Sequence, residues 1–290
     1  VLPLLPPRPA DADKSRMGRL LLVAGSRGMA GAAVLSAEAA MRSGCGYVFV
    51  ATVREIAPEL TTALPSAILR CTTARDRSQL TWDDLPMLVD AARGVDAVVV
   101  GPGLGEGAEA WLGEFLSRTA DRPRVLDADA LNAIARRRSL LAALHTGCVI
   151  TPHAGEAARL LGWGNDRDRV ESSRHAAISQ LCTITPATVV LKGPATLVAR
   201  HGRPTFVNPT GNSGLAKAGS GDVLSGIIGA LIARGMDAYD AAIAGVWIHG
   251  RAADVLAGET GEESYIASDL ARALGRAFAD YAAAVPTTLA

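Results

Sequence analysis

The chain is poor in aromatic residues, which make up 4% of its 290 positions, and it carries no excess charge, with 29 Lys and Arg against 29 Asp and Glu. The balanced charge removes any global electrostatic case for nucleic acid or an anionic membrane as a partner. No uninterrupted apolar run approaches the roughly eighteen residues that a membrane-spanning helix needs. The four cysteines, Cys45, Cys71, Cys148 and Cys182, form no Cys-x-x-Cys pair and have no histidine at ligand spacing. They read as reduced, mostly buried thiols of a cytoplasmic protein, and no residue is assigned as a metal ligand. The opening Val1-Leu2-Pro3-Leu4-Leu5-Pro6-Pro7 lacks the basic start and long apolar centre of a signal peptide and reads as an arm. Repeats, charge runs and a Pro- or Ser-rich linker are also missing.

What is plentiful is small and aliphatic. Hydrophobic residues make up 49% of the chain, and with so few aromatics the interior must be built from Ala, Val, Leu and Gly, as in sheets covered by closely packed helices. Short continuous apolar runs, the pattern of strands buried on both faces, occur at Arg19–Ala24, Tyr47–Val53, Asp96–Val100, Cys148–Ile150 and Thr188–Leu191. Shorter candidates are Ala67–Arg70, Arg124–Leu126, Leu197–Ala199 and Arg203–Val207. Helical patterns fall between and after them at Ala32–Arg42, Trp82–Arg93, Val170–Leu181, Gly221–Ala233, Ala238–Ala257 and Ser268–Ala284. This alternation predicts one three-layer α/β domain.

Glycine-rich turns follow the strands. Gly25, Gly28 and Gly31 lead into the first helix. Gly101-Pro102-Gly103-Leu104-Gly105 ends a second strand but has Glu106 where a dinucleotide fingerprint needs its third glycine. In doubly wound sheets the carboxyl ends of strands are where ligands bind, which singles out the residues stationed there. Asp127 either serves the site or stabilises its turn, with Asp129 the natural helix cap. His153, at a strand end and three residues before Glu156, reads as a binding residue. Glu156 itself is a dipole partner of its helix or an organiser of metal and water. Lys192 at the end of a buried strand suits a phosphate, with snorkelling along the surface as the alternative. His249 reads as a packed residue.

The run from Asn208 to Ile228 organises the rest. Asn208-Pro209-Thr210-Gly211-Asn212 and the glycines Gly214, Gly219 and Gly221 precede an apolar helix containing Val223, Leu224, Ile227 and Ile228. A glycine turn feeding a helix N-terminus offers free N–H groups and the positive end of a dipole, an anion site. Asp222 at that junction is either a plain helix cap or a catalytic base in the mouth of a phosphate cradle.

Seven motifs in series give a resemblance. They are AGSRGMAGAAVLSAEAAMRSGCG, VVVGPGLG, VLDADALN, TPHAGE, VVLKGPAT, NPTGNSGLAKAGSGDVLSGIIGALIARG and GVWIHGRAADVLA. Over residues 14 to 282 the chain resembles the ADP- or ATP-dependent NAD(P)H-hydrate dehydratases, the carbohydrate-kinase-like family of the ribokinase-like superfamily. The resemblance implies a three-layer α/β/α ribokinase-like fold with a central, mostly parallel sheet, divided as an N-terminal arm at 1–13, the dehydratase domain at 14–284 and a C-terminal tail at 285–290. It implies repair of hydrated NADH or NADPH: a nucleotide phosphorylates the hydroxyl added to the nicotinamide ring, and phosphate is then expelled. It assigns Ala32, Gly103, His153 and Asp222 to the hydrated dinucleotide, with Asp222 catalytic. It assigns Lys192, Gly193, Pro194, Ala195, Thr196 and Gly221 to ADP or ATP, with Mg²⁺ beside the phosphates. A homotetramer is implied too. Some members carry an epimerase domain; these residues contain none, so an epimerase partner or upstream epimerase domain is an implied companion. The chain departs from the family pattern at Pro65-Ser66, where Pro-Glu is usual, and at Ala218 and Ser220, where Gly and Thr are common. Two other readings are a small-molecule kinase of the same superfamily, acting on a vitamin precursor or sugar alcohol, and a nucleotide-binding regulator without turnover.

Overall fold

Leu20, Leu21, Leu22 and Val23 are all 0% exposed, as consecutive residues can be only on a strand covered on both faces. They belong to β1 (Arg19–Val23), near the middle of a nine-stranded sheet in this computed structural model, which describes residues 2–285. The other strands are β2 (Tyr47–Thr52), β3 (Ile68–Cys71), β4 (Ala97–Val100), β5 (Arg124–Leu126), β6 (Cys148–Ile150), β7 (Thr188–Leu191), β8 (Leu197–Ala199) and β9 (Phe206–Val207). Their order across the sheet is β3-β2-β1-β4-β5-β6-β7-β8-β9. The first seven run parallel, with Leu20 opposite Val48 on one side and Ala97 on the other, and β8 and β9 close the edge antiparallel. All the expected strands form, although the last is shorter than Arg203–Val207 suggested.

The helices are α1 (Ala30–Arg42), α2 (Ala57–Ala63), α3 (Leu85–Ala91), α4 (Leu112–Arg118), α5 (Ala128–Arg136), α6 (Ala154–Leu161), α7 (Arg167–Ser172), α8 (Arg174–Ile184), α9 (Ser220–Ala233), α10 (Ala238–Thr260) and α11 (Ala267–Ala284). They cover both faces of the sheet in a three-layer α/β/α sandwich of ribokinase-like type. None is long and apolar enough to cross a membrane among the described residues. Two expected helices are corrected. Val170–Leu181 is split at Ser173, whose backbone (φ −145°, ψ 51°) leaves the helical region. Trp82–Arg93 begins with a single 3₁₀ turn, Trp82–Asp84, and ends at Ala91. Two carbonyls near the amino end are tied to the helices: Tyr281 Oη donates to Pro3 O at 2.8 Å and an Arg234 Nη donates to Pro6 O at 2.9 Å. Of the tail at 285–290, residues 286–290 lie outside the described residues.

Strand order reverses between β1 and β4, and this is where such sheets open a crevice at their carboxyl edge. Two glycines make the crevice possible. Gly101 has φ +136°, and a Cβ there would stand 1.8 Å from the carbonyl oxygen of Asp127. Gly226, on α9, lets that helix lie directly on α1, because a Cβ would meet Ser36 O at 2.1 Å. Gly226→Val is therefore expected to lose about 1–3 kcal/mol of stability through overpacking, measured by urea unfolding. An unchanged midpoint would mean that α1 and α9 can separate freely.

Candidate functional site

The carboxyl edge of the sheet carries nearly every residue singled out above. Ala32, in the first turn of α1, and Gly103, in the turn after β4, touch at the switch point: a Cβ on Gly103 (φ +61°) would come within 2.9 Å of Ala32 Cβ. The Lys192–Thr196 turn joins β7 to β8, with Gly193 at φ +139°, Ala195 at φ +48° and Thr196 Oγ1 donating to Gly193 O at 2.9 Å. These two groups are not in contact. Four strand spacings separate β1 from β7, roughly 19 Å at about 4.8 Å each, with Asp127 and His153 just past the carboxyl ends of the strands between, β5 and β6. The first turn of α9, with Gly221 and Asp222, overlies this gap because α9 packs on β1, β4 and β5. The departure at Pro65-Ser66 lies before β3, at the amino end of a parallel strand and so away from this edge.

Gly219 is the N-terminal cap position of α9, at φ +90° and with no side-chain cap. The first-turn N–H groups of such a helix lack intrahelical partners. Asp222 is therefore not a cap: it is the third residue inside the helix. Its carboxyl is pushed up to about 7, by burial first and then by Asp127, against the pull of Lys192. A Cβ on Gly221 would lie 3.2 Å from Lys192 Nζ and 3.9 Å from Asp127 Oδ2, so these groups converge on one spot.

Lys192 does not snorkel. Its Nζ pairs with Asp127 Oδ1 at 2.7 Å and lies 3.8 Å from Glu156 Oε2. Burial alone would lower its pKa, but Asp127 and Glu156 outweigh that and raise it. Asp127 is 1% exposed. Burial works to raise its pKa, yet Lys192 and the Ser225 hydroxyl hold it below the usual carboxylate range. The expectation that Asp129 caps α5 is overturned: Asp127 occupies the cap position without capping, and Asp129 Oδ2 instead accepts from Gly105 N at 2.9 Å, fixing the glycine turn after β4.

His153 caps α6, its Nδ1 accepting from Gly155 N at 3.0 Å and Glu156 N at 3.3 Å. Accepting at Nδ1 places its proton on Nε2, 3.4 Å from Glu156 Oε1. Burial, with Lys192 and Arg159 nearby, pushes its pKa down to about 4, so the ring is a neutral donor at the mouth. Glu156 completes the cap by accepting from His153 N at 2.9 Å. It is pushed up to about 7 by burial and by Asp127, despite Lys192. Both readings of Glu156 describe part of what it does: it serves the helix end and also faces the ammonium. His249 is buried on α10, facing the backbone of Ser220, with its pKa pushed down to about 4 by burial.

Several contributors escaped the sequence reading. Ser225 is the one hydroxyl inside the apolar body of α9, one turn after Gly221 and beyond the first-turn Ser220, and that isolation was the available signal. Arg174 props the Lys192 turn from below, donating to Leu191 O at 3.0 Å and Lys192 O at 3.3 Å. The Asn208–Asn212 run is now explained as an anchor. Asn208 Nδ2 donates to Val246 O at 3.1 Å, Thr210 Oγ1 to Trp247 O at 2.9 Å, and Asn212 Nδ2 to Asp254 Oδ1 at 3.0 Å. These bonds fasten the loop before α9 to α10.

A mostly parallel sheet with its switch point at β1/β4, flanked by helices on both faces, defines a ribokinase-like protein, and its crevice holds a buried Lys–Asp pair and an uncapped glycine-led helix of the kind that suits an anion. The sequence profile of the NAD(P)H-hydrate dehydratase family (Carb_kinase) matches residues 20–276. The chain is 44% identical over 258 residues to the ADP-dependent (S)-NAD(P)H-hydrate dehydratase of Neisseria meningitidis, covering 86% of this chain and 80% of that one. It is 41% identical over 272 residues to a bifunctional NAD(P)H-hydrate repair enzyme of Coxiella burnetii, covering 93% of this chain and 52% of that one. The chain thus spans about half the length of this bifunctional relative. Among solved structures, the ADP/ATP-dependent NAD(P)H-hydrate dehydratase of Bacillus subtilis, co-crystallised with ATP/Mg²⁺, superposes with a TM-score of 0.77 at 28% identity, covering 96% of this chain and 94% of that one. The chain belongs to the NAD(P)H-hydrate dehydratase family.

Proposed function

We propose that the protein carries out the ADP- or ATP-dependent dehydration of the S form of hydrated NADH or NADPH, returning the reduced coenzyme. The observation that carries this reading is Asp222: a half-buried carboxyl pushed up to about 7, set in the first turn of a helix whose free amides face the same space. In this reading the hydrated dinucleotide occupies the switch-point side, against Ala32, Gly103 and His153. The adenine nucleotide lies along Lys192, Gly193, Pro194, Ala195, Thr196 and Gly221.

Asp222 accepts the proton of the ring hydroxyl as that oxygen attacks the terminal phosphoryl group of the nucleotide. A carboxylate cannot ionise an alcohol beforehand, so the proton moves in concert with transfer. The Gly219–Gly221 amides and the helix dipole stabilise charge on the transferring group. The ring nitrogen's lone pair then breaks the C–O bond and expels phosphate, and loss of a proton from the adjacent ring carbon restores the double bond. ADP is converted to AMP, or ATP to ADP, with one phosphate released.

Mg²⁺ fits this site as an ion arriving with the phosphates. Three carboxyl groups, Asp127, Glu156 and Asp222, face the ammonium of Lys192, and Glu156 and Asp222 are pushed up to about 7 by burial first and then by the charge of Asp127. In this reading the ion would be held through water by Glu156 and by the nucleotide. When bound, the ion neutralises charge on the phosphates. We further infer a cytoplasmic homotetramer in which residues 14–284 form the dehydratase domain and 1–13 its arm, with an epimerase as partner or upstream domain.

The test is incubation of hydrated NADH with ADP or ATP while absorbance at 340 nm is followed. Recovery of the absorbance supports the reading; a stable phosphorylated product without it identifies a kinase instead. Because Asp222 must be ionised to accept a proton, kcat/KM is expected to climb about tenfold per pH unit on the acid side and to level off near the Asp222 pKa of about 7. A profile flat from pH 5 to 8 would remove Asp222 from the role of base.

A further inference from the structure

Lys217 is one of only three lysines in the chain, with Lys14 and Lys192; every other basic residue of this kind is arginine. It stands two residues before Gly219, where α9 begins. Its Nζ donates to three main-chain carbonyls in the connector between α10 and α11: Glu262 O at 2.8 Å, Glu263 O at 3.0 Å and Tyr265 O at 2.6 Å. It also lies 4.6 Å from the centroid of the Tyr265 ring. An ammonium has three N–H donors, and here all three are spent on carbonyl oxygens. Converging carbonyl dipoles with an aromatic face beside them are what replaces the water shell of a compact monovalent cation. A planar guanidinium cannot direct its donors into one such cage.

The cage is built into the anion cradle. Tyr265 Oη donates to Asn212 Oδ1 at 2.6 Å, and Ser213 N donates to Glu262 Oε2 at 3.1 Å, so the connector and the loop before α9 are joined at both ends. The connector then enters α11, whose Ala267 Cβ would lie 3.1 Å from a Cβ on Gly219. Shifting the connector relative to Lys217 would shift the first turn of α9.

We propose that Lys217 is a positioning residue whose tethered ammonium does the work of a bound monovalent cation, holding the Gly219–Gly221 amides on the transferring phosphoryl group. Emptying the cage turns the protein into one activated by K⁺ or NH₄⁺. The activity readout rests on the dehydratase reading above; the stability readout does not.

The experiment compares the full chain with Lys217→Ala, which empties the cage, and Lys217→Met, which fills it without charge. Each is assayed with tetramethylammonium, NH₄⁺ or K⁺ as the only monovalent cation. The wild-type protein is expected to respond little to the choice. Lys217→Ala in tetramethylammonium is expected to lose about 10²-fold in kcat/KM for the nucleotide, the scale of a small misplacement of catalytic groups, and to regain most of it with NH₄⁺ or K⁺. Its Tm should rise with the same two ions, as binding to the folded state requires. Lys217→Met is expected to lose activity without rescue. Full activity of Lys217→Ala in tetramethylammonium overturns the proposal. So does a loss that neither small ion restores in either activity or Tm, or a wild-type protein that itself needs K⁺. If Lys217→Ala folds only when K⁺ or NH₄⁺ is added, that supports the proposal; failure to fold in every ion counts against it. Should the wild-type protein turn over no hydrate, a Tm rise confined to Lys217→Ala still supports the cage and its absence refutes it.

Discussion

Asp222→Asn is expected to lose about 10²–10⁴-fold in turnover, the span of a positioned general base, while binding ADP nearly as the wild type does. The same substitution should make the protein more stable at alkaline pH. The folded-state pKa of Asp222 is raised, to about 7, so protonation favours the folded form. That contribution is complete below the unfolded value near 3.8 and is lost as pH rises through 7, where the folded protein must carry a half-buried charge that burial and Asp127 both oppose. Asparagine never bears the charge. Its Tm advantage should therefore be largest above pH 7 and fade as pH falls towards 4. Single-turnover kinetics and a calorimetric scan at pH 5 and pH 8 check the two halves separately. Near wild-type turnover would sink the assignment of the base, and a loss of stability at pH 8 would contradict the electrostatics of the site.

Lys192→Met removes the ammonium that pairs with Asp127, a carboxylate that is 1% exposed. A buried pair broken on one side costs about 3–5 kcal/mol, because the surviving charge keeps its desolvation penalty without its partner. Urea unfolding at pH 8 should show a loss of that order. Nucleotide affinity should fall with it, since Lys192 begins the turn assigned to the nucleotide. Without Lys192 the folded-state pKa of Asp127 rises above its unfolded value, so the deficit should shrink as pH is lowered and Asp127 takes up a proton. Adding Asp127→Asn should recover much of the stability and none of the binding. A Lys192→Met protein as stable as the wild type at every pH would mean that Ser225 alone satisfies Asp127. Lys192 also lowers the pKa of Asp222, so any residual activity should have its acid limb displaced to higher pH.

The sheet was legible because β1, β4 and β7 are runs of Leu and Val with no polar interruption, each ending at a glycine or at Lys192-Gly193. Such runs fix strand identity whatever the helices do. The candidate site was legible as far as strand ends could be counted: Gly103, His153 and Lys192 lie on one edge because parallel strands place their carboxyl ends together, and Asp222 joins them through the head of α9. Two kinds of information were hidden. The first is local backbone geometry. Whether Asp127 or Asp129 turns toward Lys192 depends on how the chain leaves β5, where Ala128 takes φ +46°, a left-handed residue that no glycine marks. The break at Ser173 is similar, since the apolar pattern runs through it undisturbed. The second is partnership at long range. Asn212 and Lys217 look like ordinary loop residues until α10 and the connector after it supply Asp254, Glu262 and Tyr265, far along the chain. Short-range spacing cannot show what a residue will meet only once the fold has closed.

The close approach of Gly226 to the Ser36 backbone packs α9 directly against α1, with no side chain between them. On the proposed assignment, Ala32 at the head of α1 and Asp222 at the head of α9 are therefore set at a fixed distance before any ligand arrives. The Lys192–Thr196 turn is different, lying at the far side of the sheet between β7 and the three-residue β8, with only the two-residue β9 beyond them at the edge. If Asp222 is the base, as proposed, its alignment with the hydroxyl would be preformed and cost little ordering on binding. On the same assignment, any adjustment to one phosphate more or fewer would fall to the β7–β8 turn, so the choice of nucleotide and the choice of ring would be made in separate parts of the molecule.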